Sequence, residues 1–156
     1  MTVDYIVASL PGLAFGAPAP ISQEAFDALA PGDALADGLR GWGDLETQLR
    51  NAMAAARGGE KWLRPASGCS LYWQNRVTAC FQEKDVAKRD ELLDRVWWDA
   101  AGELTPPAAP LGKGALATYS IRLKIALKRG GISREAGNAA FDRLTAASKI
   151  NLGEEK

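Results

Sequence analysis

Residues 115–129 read ALATYSIRLKIALKR, and the fold turns on them. Leu116, Tyr119, Leu123 and Leu127 recur at three- and four-residue steps, which places them on one face of an α-helix. Ile121 and Ile125 fall beside that stripe and widen it. A helix apolar over so much of its circumference belongs between other helices. Gly130-Gly131 follows and reads as its end. Ser133 then caps a last helix expected to reach Ile150, with Ala140, Phe141, Leu144 and Ala147 inward, before a fraying tail.

Upstream lies TPPAAPLGKG, residues 105–114, whose prolines and glycines make it a loop or linker. Before it, Asp85 to Ala101 reads as a helix with Leu93, Val96, Trp97 and Ala100 in a stripe. Its other side carries Lys88, Arg89, Asp90, Glu91 and Asp94, the pattern of a solvated face. Ser70 offers a cap to a helix with Trp73, Val77 and Phe81 inward. From Asp44 to Arg57 the apolar stripe is Trp42, Leu45, Leu49, Met53 and Ala56, and Gly58-Gly59 ends it. A short helix over 23–30 is capped by Ser22 and stopped by Pro31-Gly32. The stretch LPGLAFGAPAPIS, residues 10–22, is stiffened by prolines and reads as irregular. Residues 4–9, DYIVAS, are β-branched and aromatic enough for a short extended segment.

The expected fold is therefore all-α: a bundle of about six helices behind a short extended N-terminal segment. The chain has 156 residues, the size of one ordinary domain, 1–156. Within it the 105–114 loop separates two candidate internal units, 1–104 and 115–156. An internal echo supports that division. Shifting the chain by 72 positions lays residues 45–59 over 117–131, so that Arg57-Gly58-Gly59 meets Arg129-Gly130-Gly131.

Nineteen basic and nineteen acidic side chains cancel, so bulk charge gives no nucleic-acid signal. Residues 1–60 nevertheless hold three basic and eight acidic side chains, and residues 111–150 hold eight and two. Such opposed ends pair within a fold or steer different partners. There is no His, which removes the commonest general base and metal ligand. Cys69 and Cys80 form no CxxC and read as buried thiols, with a bridge between them as the alternative. Gly112-Lys113-Gly114 lacks P-loop spacing and reads as a lead into a helix rather than a phosphate cradle. The expectation is a non-catalytic protein with no cofactor and no metal. An enzyme built on carboxylates alone ranks last. The short apolar run near the N-terminus, broken by Pro11, is neither a signal peptide nor a membrane span, so the expected compartment is the cytoplasm.

Three stretches carry a resemblance. YIVASLPGLAFGAPAPISQEAF, residues 5–26, resembles the opening of a family of bacterial proteins encoded in operons for V/A-type ATPases. The matching residues are Tyr5, Ala8, Ser9, Leu10, Pro11, Leu13, Phe15, Gly16, Pro18, Pro20, Ile21 and Ser22. GWGDLETQLRNAMAAAR, residues 41–57, and TYSIRLKIALKR, residues 118–129, look like helical units of the all-helical stalk protein that sockets the rotor of those ATPases onto the membrane ring. The resemblance implies an all-helical accessory or stalk subunit. It would couple the soluble motor to the membrane ring through contacts with the central stalk and the ring, peripheral to the membrane and not inserted in it. The chain is much shorter than a socket protein of three such units.

The residues singled out for partner contact are Leu13 and Phe15, in the stiffened opening segment, and Arg122, Lys124, Lys128 and Arg129 in the basic last third. The alternative from another class is a small nucleic-acid-binding helical module using the basic surface of residues 113–134, which includes Arg134. Aromatics do not interleave with that basic set as they would in a stacking platform.

Overall fold

The computed structural model describes residues 1–132 apart from 60, 62, 66, 67 and 69. The expected helix after Ser133, Arg134 of the basic set and Cys69 lie outside these. The described residues form helices and loops, with no strand among them. In chain order the helices are α1 (Val3–Ser9), α2 (Gln23–Leu29), α3 (Gly32–Gly38), α4 (Trp42–Ala56), α5 (Leu71–Cys80) and α6 (Val86–Ala101). A 3₁₀ turn (Gly102–Leu104) extends α6, and α7 covers residues 113–132.

Three of these helices build a bundle of their own. α4 packs on α5 and α6, and α5 on α6. Leu49 and Ala52 from α4, Trp73, Val77 and Cys80 from α5, and Leu93, Val96 and Ala100 from α6 form its core. Ser70 caps α5 as expected, and Asp85 caps α6. Ser70 accepts the Trp73 N–H at 3.4 Å, and Asp85 accepts the Ala87 N–H at 3.0 Å. α4 ends on Arg57, with Gly58 in the left-handed region at φ 76° and the Gly59 N–H reaching the Ala54 carbonyl at 2.7 Å.

The N-terminal layer is made of shorter pieces. Residues 4–9 are helical, where an extended segment was expected. Thr2 caps α1 by accepting the Tyr5 N–H at 3.4 Å, and Asp4 sits favourably in the first turn. Val3, Ile6, Val7 and Leu10 then share one face and pack into a common core. Burial of that stripe outweighs the weak β preference of its branched side chains. Pro11 holds Leu10 in extended backbone, ψ 137°, and so ends the helix. α2 stops at Pro31 as expected, but the same proline then stands at the N-cap of α3, a helix hidden by the Pro-Gly pair.

α7 lies between the two groups. Its Leu116 and Leu123, fully buried, join Ile6, Phe26 and Ala34 of the N-terminal layer, with Tyr119 and Leu127 packed alongside. Tyr119 stacks on Phe26 at 5.6 Å and donates its hydroxyl hydrogen to the Pro11 carbonyl at 2.7 Å. Its other side meets α6, where Trp98, Ile125 and Ala126 form a third cluster. Thr118 fastens the start of α7 by donating to the Ala101 carbonyl at 2.8 Å, with the Thr105 hydroxyl 2.7 Å away.

Two glycines let this first turn approach its neighbours. A Cβ on Gly114 would overlap the Leu104 carbonyl oxygen, and one on Gly38 would overlap that of Lys113. The Gly-Lys-Gly sequence thus serves close backbone packing. The far end of α7 differs from expectation: the helix runs through Gly130 and Gly131 to at least residue 132. Neither glycine is among those with positive φ, so neither forms the left-handed cap that Gly58 forms. The 72-residue echo therefore aligns two helices whose Arg-Gly-Gly ends have different backbone conformations.

Candidate functional site

Leu13 and Phe15 both turn inward. Leu13 is half-buried against the N-terminal core and the Trp98 cluster. Phe15 meets the Trp98 indole edge-on at 5.5 Å between centroids. The guanidinium carbons of Arg95 and Arg129 lie 5.2 and 5.8 Å from its ring centre, within cation–π range. The family-like opening is thus a strap over α6 and α7, and its apolar side chains are largely consumed there.

Three of the four selected basic residues also work within the fold. Arg122 donates through Nε to the Trp98 carbonyl at 3.0 Å and lies over the Trp98 ring at 5.3 Å. Burial pushes its pKa down, with Asp99 opposing. Lys128 reaches Asp94 at 3.0 Å, and Arg129 reaches the same carboxylate at 2.7 Å. Lys113 pairs with Asp37 of α3 at 3.0 Å. These contacts leave the surface of residues 113–132 less basic than its sequence, which counts against phosphate-backbone binding. Lys124 stands apart: it is exposed and makes no ion pair among the described residues.

Lys124 borders a groove of about 560 Å³ between α4, α6 and α7. Each helix contributes one stripe: Trp42, Glu46, Arg50 and Met53 from α4; Asp90, Leu93, Asp94 and Trp97 from α6; Ile121, Lys124, Ile125 and Lys128 from α7. The spacing of three and four residues on all three makes a trough along the helix axes, about 16 Å long on α4 at 1.5 Å per residue. Leu93 and Ile125 form its buried floor. Trp42, Met53, Trp97 and Ile121 are half-buried and make up its walls. Large, stiff aromatic walls of this kind are typical anchors for a protein partner.

The rim is charged and layered. Glu46 bonds Arg50 at 3.1 Å, with side-chain exposures of 32% and 70%. Asp94 bonds Lys128 with exposures of 13% and 52%. In both pairs the acid is tucked in and the base points out. Asp90 faces Arg129 at 3.9 Å.

Reading stripes one helix at a time finds the groove's side chains as core residues, not as an open surface. The signal for it was the second stripe of α7, Ile121 and Ile125 flanked by Lys124 and Lys128. Trp98 and Asp94 were missed as functional parts, because α6 buries two faces and its charged side supplies the partner of Lys128 and Arg129.

Among the described residues no helix is long and apolar enough to cross a membrane. No family model, curated protein or solved structure matches the chain.

Proposed function

We propose that the protein is a non-catalytic helical subunit that acts by holding other proteins, and that its assembly is a V/A-type ATPase. There it would link the soluble motor to the membrane ring through the central stalk, at the cytoplasmic face and outside the bilayer. The observation that carries the binding role is the trough between α4, α6 and α7, with its aromatic walls and paired charges at the rim. The choice of assembly rests on the resemblance of residues 5–26. Those residues build the strap that positions α6 against α7, so a similar opening is a reason to expect a similar scaffold. Leu13 and Phe15 serve this reading as residues that shape the contact surface from behind.

Native co-purification from cells that carry such an ATPase tests the reading. The expected result is recovery of central-stalk subunits with the tagged full-length chain. A chain that never associates with them under native conditions overturns it.

A further inference from the structure

We infer that the α4–α6–α7 groove receives an amphipathic α-helix of a partner protein whose apolar stripe is flanked by acidic side chains. This inference rests on the protein-binding reading above and names the chemistry of the partner.

The shape comes first. Three stripes at helical spacing leave an open trough about three helical turns long, not an enclosed chamber. Its polar groups lie along the rim and do not converge on one point, as they would around a small ligand. A helix laid lengthwise offers the matching geometry, with side chains at i, i+3, i+4 and i+7 meeting Trp42, Trp97 and Ile121.

Charge decides the sign. Arg50 and Lys128 are the exposed members of their pairs, with Glu46 and Asp94 held beneath them. Lys124 adds a third exposed cation with no carboxylate of its own among the described residues. The rim therefore presents three exposed cations, Arg50, Lys124 and Lys128, against one exposed carboxylate, Asp90, although its formal charges balance, and it suits acidic flanks on the occupant. The chain's own residues 133–150 carry three basic and two acidic side chains, a poorer complement to the same rim.

The probe is a synthetic peptide of about 18 residues with Leu at i, i+3, i+4 and i+7 and Glu on both flanks. A second peptide carries Lys in place of Glu. Both are titrated into the full-length protein by calorimetry at low and high salt. The Glu peptide is expected to bind at least about tenfold more tightly than the Lys peptide, and the difference should shrink with salt. Lys124→Glu, an exposed change that leaves the core intact, should weaken the Glu peptide about two- to fivefold. Ile121→Asp should abolish binding.

Equal binding of the two peptides, or failure of both, overturns the inference. So does binding that neither substitution alters. A concentration-dependent dimer that dissociates in Ile121→Asp would assign the groove to a second copy. Recovery of binding on replacing Phe141 and Leu144 by Asp would assign it to the chain's own C-terminal stretch. Either result overturns the partner reading. Peptide binding is read on the isolated protein, so it succeeds or fails independently of co-purification with ATPase subunits.

Discussion

The two faces of α7 are built from similar residues and meet different fates. One face carries Leu116, Tyr119, Leu123 and Leu127, and the N-terminal layer covers it. The other carries Ile121 and Ile125 beside Lys124 and Lys128, and among the described residues it is only partly covered, by α4, α6 and the strap. Apolar character alone does not separate a core from a docking surface. What separates them here is supply: α1–α3 with the start and end of the strap provide enough side chains to close the first face. On the second, the described residues of α4 and α6 leave a trough beside α7.

Substitutions along α7 should expose that difference. Leu123→Ala, on the closed face and fully buried, is expected to cost about 2–5 kcal/mol in chemical denaturation. Gly114→Ala should cost about 3 kcal/mol by forcing the first turn away from Leu104. Since that rigid-body shift would also move the open face, peptide affinity should fall with stability. Asp94→Ala removes the carboxylate shared by Lys128 and Arg129 and leaves Arg129 largely covered. A loss of about 1–3 kcal/mol is expected, relieved in part by high salt. Ile121→Ala, on the open face, should cost about 1 kcal/mol or less in stability while weakening the acidic peptide severely. Similar costs at Ile121 and Leu123 would erase the distinction between the faces.

The smallest effect concerns the exposed bridge from α3 to the start of α7. The Lys113 side chain, by hydrogen bond and charge, holds the Asp37 carboxyl below its ordinary value. A group whose folded pKa is depressed stabilises the fold above its unfolded pKa, and that contribution fades as pH falls through the lower folded value. Asp37→Asn should therefore lower the melting temperature slightly at neutral pH and leave it unchanged in acid below the carboxylate range. A shift of equal size at both pH values would mean that the bridge contributes through something other than charge.

Much of the helical content was legible because single stripes suffice to find amphipathic helices. The stripes of α4 and α7 fall where the spacing of Leu49, Met53, Leu116 and Leu123 puts them. The errors share a cause: they need a partner's position. The branched residues of α1 become helical only because α7 offers them a surface to bury against. Pro31-Gly32 ends one helix and opens another, and the sequence alone carries only the first meaning. Gly130-Gly131 looks identical to Gly58-Gly59, yet only the earlier pair takes up a left-handed turn. Asp94 reads as a solvent-facing charge until α7 brings Arg129 to it. Of the candidate site, Lys124 and Lys128 were picked out as cations. The trough beside them was not legible, because its volume exists only in the relative placement of three helices.

The bond between Tyr119 and the Pro11 carbonyl joins positions 108 residues apart. During synthesis the opening strap leaves the ribosome long before its seat on α6 and α7 has been made. Contacts of such sequence separation form late, since a long loop must close before they are rewarded. The bundle of α4, α5 and α6 lies entirely between them and can assemble while the strap waits. The strap, made before its seat, is thus among the last parts to settle, and until it does the side chains of Leu13 and Phe15 lack the Trp98 cluster they pack on.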